Sequence, residues 1–120
     1  MKVSKVMNKV MVIEDDVSLK KAAEIMKKKK IGCLVFSQNN KILGIVTERD
    51  VLENADKLNK NVSKITSKKI ITIDCNDNLE DAAEIMARNK IKRLPVVSKN
   101  ELVGIITASD LVAHVDGFEI

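Results

Sequence analysis

Leu19-Lys-Lys-Ala-Ala-Glu-Ile-Met26 returns sixty positions later as Leu79-Glu-Asp-Ala-Ala-Glu-Ile-Met86. The same displacement lays Gly44-Ile-Val-Thr-Glu-Arg-Asp50 over Gly104-Ile-Ile-Thr-Ala-Ser-Asp110. From Leu19–Leu52 to Leu79–Val112 about 14 of 34 positions are identical without a gap, and several others exchange one aliphatic for another. A repeat of this kind decides the architecture, because each copy is one supersecondary unit that needs a neighbour to bury its apolar face. A unit of about 60 residues buries only about 60% of its unfolded surface and is marginal alone. The chain of 120 residues is therefore read as two repeats, 1–58 and 59–120, intertwined in one cooperative body.

Both copies predict the same order of elements. A short segment, Val3-Ser-Lys-Val-Met7 or Val62-Ser-Lys-Ile-Thr66, leads to a strand at Val10–Ile13 or Ile70–Ile73. A polar turn follows, ending in Ser18 or Asn78, residue types that cap helices well. The helix then places Leu19, Ala22, Ala23 and Met26, or Leu79, Ala82, Ala83 and Met86, on one face, at the i, i+3, i+4, i+7 spacing of an amphipathic helix. Lys27–Lys30 falls in the last turn, where cations complement the helix dipole. Two strands come next, Cys33–Phe36 with Ile42–Val46 and Leu94–Val97 with Leu102–Ile106, joined by short polar turns in which Asn accepts left-handed backbone. A second helix begins near Glu48 or Ala108. The pattern is strand, helix, strand, strand, helix, with 56–61 as the linker between copies.

Composition sets outer limits. Hydrophobic residues are 45% and charged residues 32% of the chain, ordinary for a globular protein. No apolar run approaches the roughly 18 residues that span a bilayer. The N-terminus lacks the apolar stretch and small-residue cleavage site of a secretory signal. The expected location is the cytoplasm, with no membrane association. Cys33 and Cys75 are not equivalent in the two repeats, and with His114 as the single histidine they match no zinc or redox spacing. They read as reduced structural thiols, and no metal site is expected. The net charge of +4, carried mostly by Lys, suits phosphate-bearing ligands, a nucleic-acid surface or a plain solvated exterior. With no Trp or Tyr and only Phe36 and Phe118 as aromatics, stacking of single-stranded bases is disfavoured. No Cys/His or Ser/His pairing suggests a catalytic residue, so the chain does not read as an enzyme.

The element order, closed in each copy by Gly-aliphatic-aliphatic-Thr-x-x-Asp, resembles the CBS domain, named for cystathionine β-synthase. The chain looks like a tandem pair of these domains from Val3 to Val115, and Arg93-Leu-Pro-Val-Val97 is similar to the family's second strand. The resemblance implies an α+β fold in which the two repeats pack as a pseudo-two-fold CBS-domain pair with two clefts. It implies a regulatory sensor of adenosine-containing ligands, of the AMP, ADP, ATP or S-adenosylmethionine type, with no cofactor required. It also points to a homodimer built on helix faces that carry Val51, Leu52 and Ala55, or Leu111, Val112 and Val115, and to a regulated protein partner whose identity stays open. The first copy departs from the pattern: Cys33-Leu-Val-Phe36 lacks the proline, and Glu48 and Arg49 stand where the second copy has Ala108 and Ser109. The two clefts are thus expected to be unequal.

Residue chemistry supplies a ligand-binding reading of this motif. A strand running straight into a helix leaves N–H donors unpaired at the junction, a setting for anions. Thr47 and Thr107 sit there with a hydroxyl to offer. Asp50 and Asp110 fall in the first turn, where a carboxylate can accept both hydroxyls of a ribose, as an acidic residue does in dinucleotide folds. Arg49 can fork onto a phosphate, whereas Ser109 offers only a hydroxyl. Lys92 and Arg93 reach toward phosphate from the neighbouring strand, next to Pro95. The same Thr-x-x-Asp spacing is also a capping box at a helix start, and Arg49, Lys92 and Arg93 are equally read as solvated charge. Both readings stand at this level.

Overall fold

Ser18 opens the first long helix, α1 (Leu19–Lys29). Its backbone is extended and its hydroxyl accepts the Lys21 N–H at 3.1 Å, pairing one of the donors a helix start leaves over. The helix closes where Lys30 turns left-handed at φ 56°. Its copy, α4 (Leu79–Asn89), is capped by Asn78, whose N–H donates to Asp81 Oδ2 at 3.0 Å, and closes at Lys90 with φ 54°. Leu19, Ala22 and Met26, and likewise Leu79, Ala82 and Met86, are buried. Ala23 is half-buried and Ala83 exposed. The buried stripe is narrower than the sequence pattern suggested, because i+4 lies at its edge.

The computed structural model describes residues 1–66 and 69–114. The strands of each repeat build one three-stranded sheet. In the first, β1 (Val12–Ile13) runs parallel to β2 (Cys33–Gln38), which pairs antiparallel with β3 (Lys41–Thr47). In the second, β4 (Ile73–Asp74), β5 (Arg93–Ser98) and β6 (Glu101–Thr107) repeat the arrangement. The first strand of each sheet pairs over two residues only, shorter than the apolar run around it. The hairpins turn on two left-handed residues, Asn39 and Asn40 (φ 53° and 63°) and Lys99 and Asn100 (φ 50° and 66°), whose twist matches that of the flanking strands. Strands β3 and β6 pass without a linker into the short helices α2 (Glu48–Glu53) and α5 (Ala108–Ala113). A further short helix, α3 (Val62–Ile65), and a single 3-10 turn, Val3–Lys5, begin the two repeats. Val115 lies outside the described residues.

Compact units and sequence repeats are out of phase. One unit is Met11–Ile70; the other joins Met1–Val10 to the chain from Ile71 onward. The opening segment of each repeat therefore packs into the sheet built by the other repeat's residues. Val62 is fully buried in a cluster with Leu19, Leu34, Phe36 and Val46. Val3 is fully buried with Leu79, Leu94, Val96 and Ile106. Backbone bonds fix both segments: Val62 N–H donates to Val17 O at 2.8 Å, Val3 N–H to Asp77 O at 2.8 Å, and Asn8 and Ile105 exchange bonds of 2.8 and 3.0 Å.

Gly44 and Gly104 make this exchange possible. A Cβ on Gly44 would lie 2.5 Å from Thr66 Cβ, and one on Gly104 would lie 2.8 Å from Met7 Sδ and 2.9 Å from Asn8 O. Thr66 and Met7 close the two opening segments. The missing side chain thus admits a strap of the chain itself against β3 and β6.

Candidate functional site

At the end of β3, Thr47 and Asp50 bind each other three times. The Thr47 N–H donates to Asp50 Oδ2 at 2.8 Å, the Thr47 hydroxyl donates to the same oxygen at 3.0 Å, and the Asp50 N–H donates to Thr47 Oγ1 at 3.2 Å. At the end of β6 the distances for Thr107 and Asp110 are 2.8, 2.9 and 3.3 Å. The capping box anticipated from the spacing is therefore present in both units. Every one of these carboxylate bonds falls on Oδ2. Each Asp is half-buried, held rigid by its cap.

The junction offers an anion fewer donors than the sequence suggested. The first helical N–H of α2, on Glu48, donates to Gly32 O at 3.1 Å, and that of α5, on Ala108, donates to Lys92 O at 2.9 Å. The third is taken by the threonine hydroxyl. Strand and helix are sewn to β2 or β5 by these bonds, so binding at this end rests on side chains more than on a helix terminus.

The remaining candidates fall as follows. Arg49 is exposed on α2, and its Nε donates to Glu53 Oε1 at 2.8 Å, one turn on. That hydrogen bond, then the Glu53 charge, raises the guanidinium pKa further. Ser109 is exposed on α5, Lys92 is exposed just before β5, and Arg93 is half-buried opposite Thr107 in the ladder. Thr107, Ser109, Asp110, Lys92 and Arg93 thus gather at one end of the second sheet, and Thr47, Arg49 and Asp50 at the same end of the first. Pro95 sits deeper, opposite Ile105, and is fully buried. It and its counterpart Val35 point away from the cluster that buries their neighbours Leu94 and Leu34.

Sequence reasoning missed Asn8. Its Nδ2 donates to Asp110 Oδ2 at 2.8 Å, giving that oxygen a third donor. No local signal could have found it, because Asn8 arrives on the exchanged segment. Among the described residues, no helix is long and apolar enough to cross a membrane.

A family model described as the CBS domain matches residues 3–57 and again 62–117. The chain is 31% identical over 109 residues to the uncharacterized protein MJ1232 of Methanocaldococcus jannaschii, covering 90% of this chain but 37% of that protein. It is 29% identical over 109 residues to the CBS domain-containing protein YhcV of Bacillus subtilis, covering 88% of this chain and 78% of that one. Among solved structures, the CBS domain pair of protein MJ0100 in complex with 5-methylthioadenosine and S-adenosyl-L-methionine matches with a TM-score of 0.85 at 25% identity, over 92% of each chain.

Proposed function

This chain belongs to the CBS domain family, and on that premise we propose that it is a regulatory module whose paired domains sense an adenosine-containing ligand. The observation that carries the reading is the state of Asp50 and Asp110. Each carboxylate commits Oδ2 to its own helix cap, which fixes the group in space and leaves Oδ1 to accept ribose hydroxyls. The cap and the ribose contact are then compatible uses of one side chain. The similar MJ0100 pair is solved with two adenosine compounds, which supports the ligand class. Phosphates would lie toward Arg49 in one site and toward Lys92 and Arg93 in the other, away from the carboxylates. Arg49 must leave Glu53 to do so, a small cost for an exposed pair. AMP, ADP, ATP and S-adenosylmethionine are the candidates. The module acts in the cytoplasm by binding, with Cys33 and Cys75 reduced, and as a homodimer that reports to a partner protein.

A thermal-shift screen with those four compounds is the first test. A ligand at a hundred times its dissociation constant adds about 2.7 kcal/mol of stability. Absence of any shift leaves a ligand-free interaction scaffold and overturns the proposal. Calorimetry on Asp110→Asn and Asp50→Asn then tests the residues. A hydrogen bond to a charged group contributes about 1.5–3 kcal/mol, so the affected site should lose roughly 10- to 150-fold in affinity. Because both groups also cap, each variant should lose up to about 1 kcal/mol of stability as well. Asp81→Asn, which weakens the cap of α4, should lose stability alone. If neither Asp50 nor Asp110 variant loses affinity beyond that control, the site assignment is wrong.

A further inference from the structure

Charge is divided unequally between the two compact units. Met11–Ile70 holds thirteen Lys and Arg against eight Asp and Glu, whereas the remaining chain holds eight against nine. Much of the excess lies on α1 and the stretch beside it. Counted through Lys30, α1 carries six lysines and one acid, Glu24, all of them exposed. Lys57 and Lys60 are exposed where the helix start bonds to the linker, the Leu19 N–H donating to Lys60 O at 2.8 Å and the Lys20 N–H to Leu58 O at 3.0 Å. Arg49 and Arg88 each meet a glutamate, but none of these lysines pairs with a carboxylate among the described residues. Helix stability accounts for Lys27–Lys30, which complement the dipole at the helix end, but not for Lys20 and Lys21. Those two stand in the first turn, where cations oppose the dipole. The sister helix α4 has Glu80 and Asp81 at the same places, and Asp81 closes its cap.

We propose that the lysine face of α1 docks on the phosphate backbone of double-stranded DNA. At 3.6 residues per turn, Lys20, Lys21, Lys27 and Lys28 fall on the side of α1 opposite the buried Leu19, Ala22 and Met26. The two lysine pairs are about 10 Å apart along the helix. That is close to the roughly 12 Å width of the major groove, so one helix reaches phosphates on both rims. Glu24 lies between the pairs, over the groove and away from either rim. Contacts to phosphate carry no sequence information, so binding follows charge and not base order. Phe36 is buried and gives this face no ring on which bases stack, which makes single strands the poorer partner. An anionic membrane is poorer too. Interfacial helices bury an apolar face in the lipid, and the apolar face of α1 is already occupied by its own core.

The test is fluorescence anisotropy of the full chain on a labelled, mixed-sequence DNA duplex, at salt from about 0.05 to 0.2 M. Four phosphate contacts predict that log K falls against log salt with a slope of about −3.6. Lys20→Glu with Lys21→Asp gives α1 the opening of α4 and separates binding from folding. Its melting temperature should hold or rise, because acids suit a helix start. Its duplex affinity at low salt should fall roughly tenfold or more, and its slope should lose about 1.8. Lys5→Glu with Lys41→Glu removes the same net charge from other elements and should cost much less. An equal loss in that control would mean attraction to net charge alone and overturn the docking face. No binding at about 0.05 M salt, or a slope near zero, overturns the proposal outright. So does retention on vesicles of phosphatidylserine and phosphatidylcholine in equal parts with the duplex left free, which would put a membrane in place of DNA.

Discussion

Asp16 is an exposed carboxylate that holds the start of α3 in place. Its Oδ1 accepts the Ser63 N–H at 3.0 Å, and its Oδ2 accepts the Ser63 hydroxyl at 2.6 Å and Asn61 Nδ2 at 3.5 Å. At the matching place in the other unit stands Asn76, and the Ser4 N–H donates to Cys75 O at 3.0 Å instead. The start of the α3 strap is therefore pinned by a carboxylate at a place where the other strap has a backbone bond. The Ser63 hydroxyl, foremost, lowers the Asp16 pKa from its usual 3.8, with the Ser63 N–H, Asn61 and the Lys64 charge adding to it. A carboxylate lowered in the folded state contributes stability above its unfolded pKa and loses that contribution as pH falls through its folded value. Asp16→Asn should thus cost at most about 1 kcal/mol at neutral pH, on the scale of a helix cap. Below pH 4 native and variant curves should converge. Urea titrations at neutral and acid pH measure this; a gap between the two that is unchanged by acid would contradict it.

Along β3 and β6 the informative positions are the two glycines. At Gly44 the obstacle to a side chain is Thr66 Cβ, a branch point tied to its backbone; at Gly104 it is the flexible Met7 side chain together with the rigid Asn8 carbonyl. Overpacking of this kind costs about 1–3 kcal/mol. Gly44→Ala and Gly104→Ala should each destabilise by that amount in chemical denaturation. Thr66→Gly should recover most of the loss in the Gly44→Ala background, because it removes the opposing carbon. Stability unchanged by Gly44→Ala would mean that the strap does not lie against β3.

The exchange of opening segments ties the fate of each unit to a distant stretch of chain. A chain ending at Asn61 keeps Leu19, Leu34 and Val46 but lacks Val62, which is fully buried among them. Its Val3 loses Leu79, Leu94 and Ile106. Such a chain should be unfolded or self-associated, whereas residues 11–70, which retain the whole of that cluster, should hold more structure. Both are near the size at which one core is marginal. A well-dispersed monomeric spectrum from residues 1–61 would remove the case for the strap as a structural necessity.

Much of this molecule was legible before any coordinates. Periodicities of 3.6 and 2 residues placed α1, α4 and the two hairpins, and the sixty-residue displacement doubled each inference. Thr47-x-x-Asp50 and Thr107-x-x-Asp110 announced their capping boxes because capping involves atoms three residues apart. What lay out of reach involves atoms far apart in sequence. The phase between repeat and compact unit, the glycines' true neighbours, the Asn8 bond to Asp110 across 102 positions and the burial of Pro95 all follow from where long-range packing carries a segment. A repeat by its nature leaves that choice open: Val3-Ser-Lys-Val-Met7 and Val62-Ser-Lys-Ile-Thr66 are so alike that local pattern cannot say which sheet each should close. Burial of Val3 and Val62 in opposite units settles it, because that free energy depends on the completed core and on no short stretch of chain.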